Sequence, residues 1–147
     1  AVFVFFGLVA TIGTTFIQVG FIEFNAVLGG VASGLFASAV LMVNNIRDIE
    51  TDSLASKKTL AVRLGKKPAI AMFLAMIWLP FLILGFFVLL YPATMLGFAA
   101  LFLVVPATVI VTTAKTAKEL ILVLKLTSFA ALAYALSLAV GLFVVFF

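Results

Sequence analysis

The run P-A-I-A-M-F-L-A-M-I-W-L-P-F-L-I-L-G-F-F-V-L-L, residues 68–90, holds no charged side chain and no Asn, Gln, Ser or Thr. A helix needs ~20 such residues to cross the ~30 Å hydrocarbon core of a bilayer. Backbone amides and carbonyls cannot face lipid unpaired, so the run must be helical. Working outward, comparable runs lie at 2–18, 25–43, 93–112 and 125–147. The expected fold is all-α, an integral membrane helical bundle of about five transmembrane helices.

Composition agrees. Of 147 residues, 67% are hydrophobic, and only nine Lys or Arg and five Asp or Glu are present. The mean hydropathy is +1.44. A soluble domain carries about 25% charge, so the apolar surplus here has to face lipid. The net charge of +4 is modest and points to no nucleic-acid partner. There is no Cys and no His, which excludes disulfides and the commonest metal ligand and general base. Any metal must take oxygen ligands, favouring Mg²⁺ or Ca²⁺ over zinc. The chain opens on Ala1 and runs straight into an apolar stretch without a basic leader. That opening does not read as a signal peptide. The expectation is one membrane domain, residues 1–147, taken from inside a longer protein.

The charges fall in three places: Glu23, the stretch Arg47 to Lys67, and the stretch Lys115 to Lys125. The 44–67 loop holds six basic residues, and the 113–124 turn holds Lys115 and Lys118. The turns at 19–24 and at Tyr91-Pro92 hold none. Basic and non-basic loops alternate, so the positive-inside rule makes 44–67 a cytoplasmic loop of a cell-membrane protein. Gly29, Gly30 and Gly34, with Ser33 and Ser38, predict close helix packing. Pro80 and Pro106 are expected to kink their spans.

The chemistry is concentrated in N-N-I-R-D-I-E-T-D, residues 44–52, followed by K-K-T-L-A-V-R-L-G, residues 57–65. If the second span stays helical past Val43, then Asn44, Asp48 and Asp52 recur every fourth residue and form one polar stripe. Met42, Ile46 and Ile49 fall on another face. Two carboxylates one turn apart repel each other unless a cation lies between them, and such a pair suits Mg²⁺ with phosphate oxygens. Arg47, Lys57, Lys58 and Arg63 add cations beside them, the combination a metal–diphosphate requires. The same residues also fit a solvated helix end with ion pairs from Asp48 and Asp52 to Arg47 and Lys58. Asn44 and Asn45 also fit a simple helix cap. Lys66 and Lys67 fit topology residues or lipid-headgroup contacts.

These two runs resemble the second aspartate motif of the UbiA-type polyprenyltransferases, most closely the menaquinone-pathway 1,4-dihydroxy-2-naphthoate branch. Residues 7–20, G-L-V-A-T-I-G-T-T-F-I-Q-V-G, are similar to the matching span of that branch. The resemblance implies a nine-helix fold around a central cavity, of which this chain is the last five. It implies that Asp48 and Asp52 are catalytic and hold Mg²⁺ and, through it, a diphosphate. By position, Arg47, Lys57, Lys58 and Arg63 match diphosphate contacts, and Asn44 and Asn45 match supporting polar positions. Ser53 and Ser56 depart from the D-R-x-x-G-K form, standing where Arg and Gly are expected.

The implied reaction moves a polyprenyl group from polyprenyl diphosphate to 1,4-dihydroxy-2-naphthoate with loss of CO₂, giving demethylmenaquinone. The implied partners are those two substrates, membrane lipid and the N-terminal half of the same enzyme, which carries a first aspartate motif. The chain alone is therefore expected to be inactive. Two alternatives remain at this point: another UbiA-type enzyme acting on 4-hydroxybenzoate or haem, or a transporter half with an acidic ion site.

The chain has no Cys, so a single Ser56→Cys variant reports topology cleanly. An impermeant maleimide should label it only after the cytoplasmic face is opened. Labelling from outside intact cells would invert the topology.

Overall fold

The computed structural model describes residues 1–145, and these form helices joined by short turns. The last two residues of the span expected at 125–147 lie outside the described residues. Helix α1 (Phe3–Val19) is π-wound through Val9 and α-helical from Ala10. Gly20 closes it in the left-handed conformation, φ 82°, its N–H donating to the Phe16 carbonyl. Then follow α2 (Phe24–Arg47), α3 (Ile49–Leu54), α4 (Leu60–Leu64) and α5 (Lys66–Leu90). Helix α6 (Pro92–Thr113) opens in a 3-10 winding up to Ala100, and α7 (Ala117–Val145) ends the described chain.

Helices α2, α5, α6 and α7 are long and apolar enough to cross a membrane, and α1, the span expected at 2–18, is the shorter apolar helix. The chain is an all-α integral membrane bundle. Two connections are tighter than expected. The 44–67 segment is mostly helical, holding the end of α2, all of α3 and α4, and the start of α5. The 113–124 turn shrinks to Ala114–Thr116, which places Lys118 and Lys125 on α7. Glu, Lys, Arg and Leu are good helix formers, so a span rich in them continues into the interface without cost.

Helix α2 is the hub and packs against α1, α4, α5 and α7. Its contact with α1 is backbone on backbone. A Cβ built on Gly7 would lie 2.5 Å from the Gly30 carbonyl oxygen and 2.5 Å from the Gly34 Cα. Gly30 and Gly34 thus form the small-residue seam that brings two helices together in lipid. Gly29 and Ser33, grouped with them in sequence, instead face a cavity. On another side of α2, Phe36 meets Tyr134 of α7 at 5.2 Å and Phe81 of α5 at 6.3 Å between ring centres. Phe81 and Tyr134 complete the triangle at 5.7 Å. The buried Tyr134 hydroxyl donates to the Pro80 carbonyl at 2.8 Å, tying α7 to the proline turn of α5. A phenol in apolar surroundings requires such a partner.

The two ends of the bundle differ as the sequence requires. At one end Asn25 donates to Glu23 and to the Tyr91 hydroxyl, joining the two non-basic turns. At the other, the Lys66 ammonium donates to the Ala114 carbonyl, joining the two basic ones.

Gly34→Val should force α1 off α2 and destabilise the fold by about 1–3 kcal/mol, the range for overpacking a close contact. Gly85→Ala, where a Cβ meets nothing within 4 Å, should be neutral or mildly stabilising. Melting curves in a neutral detergent check the contrast, and equal melting temperatures would show that the seam does not matter.

Candidate active site at the end of helix α2

Helix α2 carries its register out of the apolar region and into the motif. Asp48 leaves helical geometry (φ −96°, ψ 11°), yet the ladder continues across it. The Asp48 N–H donates to the Asn44 carbonyl at 3.1 Å, and the Asp52 N–H to the Asp48 carbonyl at 2.8 Å. Asn44, Asp48 and Asp52 therefore stay in one row, one helical turn apart. Met42 and Ile46 point the other way into the core, and Ile49 packs against it.

Each carboxylate has its own cation. Arg47 grips Asp48 with two parallel bonds, Nε to Oδ1 and Nη2 to Oδ2, both 2.7 Å. This fork is the strong form of the Arg–carboxylate pair. It holds the Asp48 carboxyl below the usual carboxylate range, against partial burial and with help from Lys57. The stabilisation from this pair is present above the ordinary carboxylate pKa and is lost as pH falls through the lowered one. Asp48 is thus ionised at neutral pH.

Asp52 is buried and accepts from the Lys57 ammonium at 3.2 Å, while Lys57 itself is largely exposed. The partner is Lys57 rather than Lys58. The turn explains the choice: the Lys57 N–H donates to the Asp52 carbonyl, and Ser56 adopts φ 56° to bring the chain back. A positive φ favours glycine, so Ser56, at the position where the D-R-x-x-G-K form has Gly, holds this turn with some strain. Thr59 caps α4 by accepting from the Val62 N–H. Lys58 and Arg63 are exposed and form no ion pair among the described residues. Asn44 and Asn45 are half-buried, and their amides hold no hydrogen bond among the described residues.

A cavity of about 570 Å³ lies between α2 and α7, with Thr11 of α1 and Phe87 of α5 at its edges. Gly29, Ser33, Phe36, Ala37 and Val40 of α2 form one wall, and Ser128, Ala131, Tyr134, Ala135 and Leu138 of α7 form the other. Phe36, Val40, Asn44 and Asp48 are spaced by four, so the cavity face of α2 runs into the motif row.

Among the described residues no three acidic side chains gather into a ready metal cage. Asp48 and Asp52 offer hard oxygens only, and the chain has no His or Cys. That donor set fits an ion held by one or two carboxylates whose remaining ligands are water and phosphate oxygens, which describes Mg²⁺.

Residues 1–129 match the UbiA prenyltransferase family. A 1,4-dihydroxy-2-naphthoate octaprenyltransferase of Mycobacterium tuberculosis is 37% identical over 95% of this chain and 48% of its own length. The enzyme of that name from Haemophilus influenzae is 54% identical over 44% of the chain and 21% of its own length. The UbiA prenyltransferase domain-containing protein 1 of Gallus gallus is 33% identical over 53% of the chain and 23% of its own length. The chain thus spans about half the length of the Mycobacterium tuberculosis relative. No solved structure matches it. With a family match over residues 1–129 and a relative 37% identical over 95% of this sequence, the chain belongs to the UbiA prenyltransferase family.

Proposed function

We propose that this chain forms the second-motif portion of a membrane 1,4-dihydroxy-2-naphthoate polyprenyltransferase. The observation that carries the proposal is the shared face of α2. The apolar cavity wall at Phe36 and Val40 continues, four residues at a time, into Asn44 and Asp48. A substrate with a long apolar tail and an anionic head matches that gradient: its isoprenoid lies along the cavity and its diphosphate at the motif. The naphthoate branch is favoured because relatives at up to 54% identity carry that name.

Asp48 and Asp52 would hold Mg²⁺, which supplies positive charge to the diphosphate leaving group. Arg47 and Lys57 already lie on those carboxylates and are placed to turn to phosphate oxygens once a dication takes their place. Lys58 and Arg63, without protein partners among the described residues, add cations from α4 and the turn before it. The allylic C–O bond breaks, its electron pair leaving with the diphosphate. The electron-rich naphthoate carbon then bonds to the allylic carbon, and its carboxyl group departs as CO₂, giving demethylmenaquinone at the quinol level. The chain's part is to stabilise the departing charge and to keep water from the cation. In this proposal the other aspartate motif and the rest of the cavity wall come from the portion of the enzyme outside this chain. The motif end of the bundle faces the cytoplasm, as its basic residues require.

Asp48→Asn or Asp52→Asn in the full-length enzyme should lower Mg²⁺-dependent prenyl transfer at least ~100-fold, the scale for losing a key electrostatic group. Glu50, exposed and off the row, should tolerate Gln. Equal losses from all three would remove the assignment of Asp48 and Asp52.

Ala37→Phe should fill part of the cavity and act by donor length. Activity with a long polyprenyl diphosphate should fall ~10-fold or more, while geranyl diphosphate is spared, since a pocket discriminates by a few kcal/mol per added group. Equal losses with both donors would show that the tail lies elsewhere.

A further inference from the structure

A second, polar cavity of about 330 Å³ lies behind the motif, between the α2–α3 junction, the start of α5 and the turn before α7. Ile46, Ile49 and Glu50 belong to the side of the helix away from Asn44, Asp48 and Asp52, so this cavity is not the apolar groove. Three cations reach it from three separate elements: Arg47 from α2, Lys66 from α5 and Lys115 from the α6–α7 turn.

Their hydrogen-bonding capacity is only partly used. Arg47 spends Nε and Nη2 on Asp48, which leaves Nη1 with no acceptor among the described residues. Lys66 spends one bond on the Ala114 carbonyl, leaving two of its three donors. The Lys115 ammonium has no hydrogen bond among the described residues, since only its backbone N–H is held, by Glu119. Thr116 shares that Glu119 carboxylate through its N–H and hydroxyl, so the two amides of the turn just before α7 are already occupied. The charge on offer in the cavity is that of the three side chains. Three carboxylates oppose it: Glu50 lies on the same wall, Asp48 sits on Arg47, and Glu119 sits on the Lys115–Thr116 backbone.

We propose that this cavity is a binding site for a phosphate group at the membrane face, held by Lys66, Lys115 and the free edge of Arg47. A phosphate fits because it offers several acceptor oxygens to donors converging from different sides. An anionic phospholipid headgroup and a free inorganic anion share that chemistry. Arg47 is shared with the proposed reaction site, whereas Lys66 and Lys115 are not, so Lys115 reports on this cavity apart from that reading.

The test uses the intact protein in a neutral detergent and follows its melting temperature. One arm titrates inorganic phosphate. The other titrates dioctanoyl phosphatidylglycerol, with dioctanoyl phosphatidylcholine as the uncharged control. A saturable rise is expected in at least one arm: in the lipid arm alone it identifies a headgroup site, and in the phosphate arm it identifies a free anion. Lys115→Gln should weaken the response ~10-fold, the worth of one charged hydrogen bond, and Glu50→Gln should strengthen it. Lys118→Gln, a neighbouring exposed cation outside the cavity, and Asp52→Asn should leave it unchanged. No response to either anion would overturn the proposal. So would equal weakening by Lys115→Gln and Lys118→Gln, or a response abolished by Asp52→Asn.

Discussion

The register of helix α2 is the constraint on which the rest of the structure depends. Helix α2 takes the chain from the Gly30–Gly34 seam, past the cavity wall at Phe36 and Val40, to Asn44, and two backbone bonds carry the row across the break at Asp48 to Asp52. Because the helix is anchored on α1 by backbone contact and on α5 and α7 by the Phe36–Phe81–Tyr134 triangle, it cannot rotate freely. The angle at which the carboxylates leave the membrane is thereby fixed by packing several turns away. Rotating α2 by one residue would swing Asp48 by about 100° and separate the acidic row from the groove.

The electrostatics of the motif follow from the same geometry. Two carboxylates one turn apart raise each other's energy, and each here is offset by its own sequence neighbour, Arg47 or Lys57. Neither pair is a deep one, since Lys57 is two-thirds exposed and Arg47 and Asp48 keep roughly a quarter to a third of their side-chain surface. Exposed pairs contribute little to stability, about 0–1 kcal/mol. They are therefore easily exchanged for a stronger partner. A dication carrying phosphate oxygens meets both needs at once, attracting the carboxylates and giving the displaced cations an anion to bind.

Much of this was legible in the sequence because lipid leaves few choices. Long uncharged runs must be helices, and basic residues collect at one end, so the spans and the alternation of turns followed from residues 68–90 and their counterparts. The motif row was readable once α2 was allowed to continue past Val43, and Arg47–Asp48 was foreseeable as a neighbouring pair. The interface was harder. Residues 44–67 read as a loop because their charges mark the edge of the apolar zone, but charge does not forbid a helix, and α3 and α4 form there. The pairing of Asp52 with Lys57 instead of Lys58 turned on the backbone of Ser56, and a serine does not announce a positive φ as a glycine does. Lys66 and Lys115 looked like topology residues because nothing in linear order brings α5 and the α6–α7 turn together.

The small residues of α2 show how one composition serves two physical ends. Gly30 and Gly34 face α1, where the absence of a Cβ lets two backbones touch, and there van der Waals contact between helices replaces lipid. Gly29, Ser33 and Ala37 lie on a neighbouring stripe and meet Ser128, Ala131 and Ala135 across a gap. Small side chains at these positions on both walls leave the gap open beside the Phe36–Tyr134 contact. The Ser33 and Ser128 hydroxyls donate to the carbonyls of Gly29 and Leu124 on their own helices, so the groove presents an almost wholly apolar lining despite its polar residues. Spacing by four is common to both stripes; what separates a seam from a groove is the partner opposite, glycine backbone in one case and a second row of small side chains in the other. That difference belongs to tertiary structure, and it converts a packing motif into an open apolar groove.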